Sequence, residues 1–309
     1  MDKIRRILLI LSVLLVFIDT PQIWASQAIG TYRFSLRWNG YNRGLPLPFS
    51  GWSNPRVPVR PWVPPQITYS TNRVMFPGTL HVLFLGNNIT GANDMAKALT
   101  NMSQAGKQKI SAKSYAPSGY TLLNHAVDIH SLTNISTSFP DIRNYTNRIP
   151  QHVIILQEHT RAPVYTPGAT MTAAQRLDTV AKAAKSQIAF FLPHALGDQF
   201  YSTGMMYRRA EASIYAIASQ VKAPVVPAGL AWRLVEARHP EIKLRDRWGF
   251  LPSHQGTYLN ACMMYCALTW QSPLGLSNGG LYFVDRREAA ILQRTAWEVF
   301  VARQGAIPF

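Results

Sequence analysis

Cysteine is nearly missing from this chain: only Cys262 and Cys266 occur among 309 residues. Residues four apart on a helix share a face, with Cα atoms near the upper limit for a disulfide, so the pair reads as two thiols buried in a core helix. Two thiols are too few for a zinc site, and no Cys/His cluster supplies the remaining ligands. No metal and no cofactor is expected. Acidic residues are scarce as well: 15 Asp and Glu stand against 31 Lys and Arg, a formal net charge of +16. Such an excess favours anionic partners, lipid headgroups or acidic glycans among them, and it also serves solubility by itself. No known nucleic-acid-binding motif is present, so nucleic acid is not an expected partner. Internal repeats and low-complexity tracts are absent, which excludes solenoid and array architectures. Long hydrophobic runs are lacking too. The longest, Ile7 to Ile18, is broken by Ser12 and is short of the roughly 20 residues that a spanning helix needs.

What precedes and follows that run gives it a meaning. Lys3, Arg5 and Arg6 form a positive segment before it, Asp19 and Pro21 end it, and Ile23-Trp24-Ala25 offers a small residue before a cut. Residues 1–25 therefore read as a secretory signal peptide, which makes the mature protein secreted or periplasmic. The alternative is an uncleaved anchor through residues 7–18, the one expected membrane contact. Residues 26–78 form a different region, rich in Pro, Trp and Arg; through residue 80 there is no Lys, Asp or Glu. Tyr32, Phe34, Leu36 and Trp38 alternate with Arg33, Ser35 and Arg37, the period of a strand with one apolar face, and Asn39-Gly40 supplies a hairpin turn. Beyond it, Pro46, Pro48, Pro55, Pro58, Pro61, Pro64 and Pro65 rule out ladders and helices. This is an extended basic arm. Its aromatics either pack on the main domain or present a docking surface for sugars, anions or another protein.

From residue 79 to 309 strands and helices alternate. Strands are expected at Val82–Leu85, Ile110–Tyr115, Val153–Leu156, Ile188–Leu192 and Pro224–Pro227. Helices are expected at Asn93–Gln104, Tyr120–Ile129, Thr172–Lys185, Met205–Val221, Ala231–Arg238, Tyr258–Thr269 and Arg286–Arg303. A polar loop around 134–150 is long enough to shape a rim. Repeated βα units imply an α/β fold with a mainly parallel sheet and helices on both faces. In such sheets ligands collect where a strand's carboxyl end feeds a helix. The turn Gly86-Asn87-Asn88, after the first strand, is such a place.

Five segments, in order, resemble one family. Val82-Leu83-Phe84-Leu85-Gly86-Asn87-Asn88 is similar to the first block of the SGNH/GDSL hydrolases, where a strand ends in Gly-Asn-Ser or Gly-Asp-Ser. Ala116-Pro117-Ser118-Gly119-Tyr120 resembles the second block, and Ile154-Ile155-Leu156-Gln157-Glu158 the third in its Gln-Glu variant. Pro227-Ala228-Gly229-Leu230-Ala231-Trp232 and the stretch from Pro252-Ser253-His254-Gln255-Gly256 to Leu276 resemble later blocks. The resemblance covers roughly residues 80–275 and implies a three-layer flavodoxin-like sandwich with esterase chemistry. It also implies that the nucleophilic serine falls on Asn88, the aspartate on Trp248 and the histidine on Leu251. A carboxamide is a poor nucleophile, a tryptophan cannot orient an imidazole as a carboxylate does, and leucine moves no proton. The family's triad is thus expected to be degenerate, and the two apolar replacements are expected to make the former site more apolar.

Two readings follow for the site. In one, hydrolysis is lost and a binding pocket survives, formed by Gly86, Asn87, Asn88, Gly119, Gln157, Glu158 and His254. It would hold an acylated or acidic polysaccharide of the envelope, or serve assembly with an envelope protein. In the other, displaced residues rebuild an esterase, with His254 as base and Ser118 or Thr90 as nucleophile. His159 and His194 are further candidates for the pocket. Asp246, between Arg245 and Arg247, is expected to form a surface ion pair, and Ser253 to cap a helix.

Overall fold

The computed structural model describes residues 78–131 and 152–303. The segments expected to form a signal or anchor, an arm with a hairpin and a loop around 134–150 lie outside the described residues. The described chain runs β1 (Thr79–Leu85), α1 (Asn88–Gly91), a 3₁₀ turn (Ala92–Asp94), α2 (Met95–Ser103), β2 (Lys109–Tyr115), α3 (Leu122–Ser131), β3 (Val153–Leu156), α4 (Ala162–Tyr165), α5 (Pro167–Ala183), β4 (Gln187–Phe191), α6 (Thr203–Val221), β5 (Val225–Val226), α7 (Ala228–Arg238), α8 (His254–Thr269) and α9 (Arg286–Ala302). The five strands are all parallel, in the order β2-β1-β3-β4-β5. That order is flavodoxin-like and reverses direction between β1 and β3, which makes the carboxyl ends of those two strands the switch point.

A parallel sheet covered on both faces needs strands that are apolar throughout. In β1, Leu80, Val82 and Phe84 point into one core with α2, α7, α8 and α9. Leu83 and Leu85 point into the other, with α3, α5 and α6. Each such side chain contributes roughly 1.5–3 kcal/mol when fully buried. Helix α8 is buried from Gly256 to Ala267, as expected of a helix without a polar face. Cys262 and Cys266 lie within it as free thiols, and burial pushes both thiols well above their usual range. Among the described residues no helix is long and apolar enough to cross a membrane.

The structure departs from the sequence expectations mainly at helix starts. The Asn-Ile-Thr-Gly segment after the first turn is itself a short helix, capped by the Asn87 side chain, which accepts from Ile89 N–H. Asn93 and Asp94 then adopt left-handed φ of 49° and 51°. They end that helix and let Asp94 cap α2 through Lys97 N–H at 3.2 Å. Helix α5 begins at Pro167, five residues before the expected start, because proline at the first position sacrifices no needed N–H. Helix α8 begins at His254 because Ser253 caps it, its hydroxyl accepting from Gly256 N–H at 3.1 Å. The four-residue helix α4 had no periodic signal.

Candidate functional site

The switch point is built by the turn after β1 and the segment after β3. Pairing of β1 with both neighbours runs to its end: Gly86 N–H donates to Tyr115 O at 3.1 Å and Gln157 N–H to Leu85 O at 2.8 Å. The turn and Gln157 therefore face each other across the crevice. A Cβ on Gly86 would stand 2.4 Å from Thr90 Oγ1 and 2.8 Å from Gln157 Oε1, so only glycine fits. Gln157 Oε1 accepts from Asn87 N–H at 3.0 Å and from Thr90 Oγ1 at 2.9 Å. Its Nε2 donates to Glu158 O at 2.5 Å. Asn87 is capped in turn: its Nδ2 donates to Tyr120 O at 3.0 Å and its Oδ1 accepts from Ile89 N–H at 3.1 Å. Asn87, Thr90 and Gln157 thus satisfy one another below the turn.

Two side chains beneath the turn fix it further. His125 Nε2 donates to Gly86 O at 2.8 Å from helix α3. Burial holds that ring's pKa below its usual value, and the bond to Gly86 O opposes that shift. Tyr115 and Tyr120 meet His125 edge-on, with centroids 5.6 and 5.3 Å away. Glu158 is buried and accepts three hydrogen bonds: from Leu122 N–H at 3.0 Å, His159 N–H at 2.6 Å and Thr170 Oγ1 at 2.9 Å. Its carboxylate caps the start of α3, where the helix end favours negative charge. Burial raises its pKa, and the three donors oppose that shift.

Above this frame the solvent-facing residues are few. Asn88, Ser118 and Gly119 are exposed, whereas Gly86, Asn87, Thr90, Gln157 and Glu158 are buried. Asn88 Oδ1 accepts from Gly119 N–H at 3.2 Å. Gly119 has φ +73°, a backbone conformation that presents its N–H to the turn and that other residues rarely adopt. The N–H of Asn88, at the first position of α1, has no acceptor among the described residues. The Asn88 carboxamide keeps two donors for a ligand, beside this N–H.

Several expected site residues take other roles. Gln157 does not line a pocket: it is fully buried because two buried donors need its oxygen. Thr90 is equally buried, and its hydroxyl donates to that amide, which leaves it no approach to a ligand. The exposed Ser118 hydroxyl makes no hydrogen bond with His254. His254 Nδ1 is buried without a hydrogen-bond partner, and its ring packs on Phe283 with centroids 4.8 Å apart. Among the described residues Asp246 forms no ion pair. Its Oδ1 accepts from the N–H groups of Phe250 and Leu251 at 2.9 and 3.2 Å, closing a tight loop, while Arg245 pairs with Glu236 at 3.2 Å. Trp248 is 64% exposed under the guanidinium of Arg247, 3.9 Å from its centroid, so it does not form an apolar pocket wall. Leu251 packs against the core that holds α8.

His194 is sealed away from solvent. It stacks on Trp232 with centroids 3.9 Å apart, its Nε2 bonds Phe250 O at 3.2 Å, and its Nδ1 is buried without a partner. Burial, with Arg245 nearby, holds its pKa down at about 3. With Glu158 and Thr160 it lines a cavity of about 10 Å³, room for one water at most. His159 is also shifted down, by burial and then Arg161. No three His, Cys, Asp or Glu side chains gather to hold a metal among the described residues. The residues that sequence reasoning missed are His125, Tyr115 and Tyr120. The available signal was spacing: Leu122, His125 and Ala126 share the inward face of α3.

A parallel sheet in the order 2-1-3-4-5, with a polar turn after β1 locked onto the segment after β3, defines an α/β protein with a flavodoxin-like fold. Among solved structures, the chain is similar to a DUF4886 family protein from Bacteroides uniformis ATCC 8492. The two are 14% identical with a TM-score of 0.62, over 74% of this chain and 97% of that one. A putative SGNH hydrolase from Slackia heliotrinireducens matches at 20% identity and TM-score 0.48, over 60% of this chain and 97% of that one. An acetyl xylan esterase, AlAXEase, matches at 13% identity and TM-score 0.45, over 61% and 100%. The first of these likenesses is one of fold. No protein-family model and no curated protein matches the chain.

Proposed function

We propose that this chain is a secreted or periplasmic binding protein on an SGNH/GDSL-like fold, and that it holds an acylated or acidic envelope glycan without hydrolysing it. One hydrogen bond carries the reading: Asn88 Oδ1 accepts the N–H of Gly119 at 3.2 Å. By resemblance, that N–H is an oxyanion donor and residue 88 is the nucleophile's position. A side chain that accepts from that donor and offers only amide hydrogens outward suits recognition of an ester carbonyl or a sugar hydroxyl. It does not suit attack on one. The candidate substitutes support the same reading. Thr90 is buried on Gln157, and His254 has no hydroxyl bonded to its ring.

The test compares retention of the mature chain on an acetylated acidic polysaccharide and on the same polymer after chemical deacetylation. Tighter retention on either than on a neutral polymer, reduced by Asn88→Ala, is the expected result. Equal retention on all three would remove the glycan. A second arm restores the family's triad residues together, Asn88→Ser with Trp248→Asp and Leu251→His. Aryl-acetate hydrolysis by that triple variant alone would locate the loss at these positions.

A further inference from the structure

The segment leading into α8 carries a feature that the turn does not explain. Ile242 and Leu244 are buried in the core, 4% and 2% exposed. Lys243 is exposed, whereas Arg245 is half-buried, its guanidinium 5.5 Å from the Trp232 ring centroid and donating to Ala195 O at 3.4 Å. The chain then closes into a tight loop. Arg245 bridges Pro252 in antiparallel fashion, Asp246 N–H donates to Leu251 O at 2.8 Å, and Gly249 N–H donates to Asp246 O at 3.0 Å. The loop's tip displays Arg247 and Trp248. Lys243, Arg245 and Arg247 line one groove of about 410 Å³, with Glu236 and Asp246, within the roughly 300–1,000 Å³ range of small-ligand sites.

Charge in this groove is unbalanced in a specific way. Glu236 is committed to Arg245 at 3.2 Å. Asp246 is committed to the N–H groups of Phe250 and Leu251. Lys243 donates to the carbonyl of Pro240 at 2.8 Å, and Arg247 lies over the Trp248 ring at 3.9 Å. Neither Lys243 nor Arg247 has a carboxylate partner among the described residues. Arg247 lies over one face of the indole, and Trp248 is 64% exposed. Three cations against two carboxylates leave the groove one positive charge in excess, and an exposed indole beside it, on a loop braced by its own hydrogen bonds, matches a sugar ring that bears anionic groups.

We infer that the 243–248 loop is a subsite for an anionic saccharide, with a carboxylate or sulfate between Lys243 and Arg247 and a sugar ring on Trp248. This rests on the glycan-binding reading above and adds a place and a charge to it. Calorimetric titration of the full chain tests it with four probes: a polygalacturonate oligomer, a dextran sulfate fragment, neutral dextran and an oligothymidylate. The two anionic glycans separate carboxylate from sulfate as the source of the charge. At least one of them should bind more tightly than dextran and oligothymidylate. Trp248→Ala and the double variant Lys243→Ala/Arg247→Ala should each weaken that binding roughly tenfold, with unchanged melting temperature. Wild-type affinity in both variants would overturn the subsite while leaving glycan binding elsewhere on the chain intact. Preference for oligothymidylate, or loss in the double variant with none in Trp248→Ala, would overturn it as general polyanion attraction. Absence of binding to both anionic glycans would overturn the subsite, and retention on the acetylated polymer then decides the parent reading separately.

Discussion

Replacing Gln157 by alanine should unfold the floor of the site first. The side chain is fully buried, and its Oε1 is the acceptor for both Asn87 N–H and Thr90 Oγ1, at 3.0 and 2.9 Å. Water reaches neither donor, since Asn87 and Thr90 are 1% and 0% exposed. Leaving a buried donor unpaired costs about 1–3 kcal/mol, so the two together, with the lost packing, place Gln157→Ala roughly 2–5 kcal/mol below the parent protein. For a domain of this size that is a fall in melting temperature of roughly 5–15 °C. Urea unfolding followed by circular dichroism measures it. A double-mutant cycle with Thr90→Val sharpens the test. Thr90→Val removes one of the stranded donors, so it should cost about 1 kcal/mol less in the Gln157→Ala background than in the parent. A loss below about 0.5 kcal/mol for Gln157→Ala, or strict additivity in the cycle, would refute the claim that this amide holds the turn.

Gly86→Ala should be among the most damaging single changes in the chain, by about 1–3 kcal/mol or more, because its Cβ would stand 2.4 Å from Thr90 Oγ1; thermal melting reads it, and Thr90→Ala should recover part of the loss. His194 should make the protein acid-sensitive. Its folded pKa is held at about 3, by burial first and then by Arg245, below its usual value of 6.5. Stability present above about pH 6.5 is therefore lost as the pH falls toward 3, by on the order of 4 kcal/mol. Denaturant midpoints measured across that range should fall steeply in the parent and more gently in His194→Phe, which keeps a ring on Trp232; identical slopes would contradict this. Glu158 acts in the opposite sense. Burial raises its folded pKa, so acidification from its raised value down through the usual carboxylate range adds stability, and Glu158→Gln should remove that contribution.

The parts of this protein legible in its sequence are those where one local pattern decides the outcome. Val153–Leu156 is apolar in every position and is a central strand for that reason. Tyr258–Thr269 reads as an interior helix; Ser253 was legible as a cap and does cap it, so the helix starts at His254, ahead of the apolar run that marks it in the sequence. The turn at Gly86 was recognisable as a tight turn at the carboxyl end of a strand. The side chains that hold it were not, because their partners lie far along the chain: Gln157 is 70 residues from Asn87, and His125 is 39 from Gly86. Asp246 illustrates the reverse error. Its sequence neighbours are both arginines, yet the backbone N–H groups of the tight loop it closes claim the carboxylate instead. Trp248 was expected to make the site more apolar, yet it is exposed under Arg247, since no pattern in the sequence shows whether a loop tryptophan turns inward.

Release of acetate from an aryl acetate by the mature wild-type chain tests the central claim most directly. With a carboxamide at residue 88 bonded to Gly119, a buried Thr90 and no hydroxyl on the ring of His254, the account predicts a rate indistinguishable from buffer. Turnover that scales with protein concentration and vanishes in His254→Ala would contradict it.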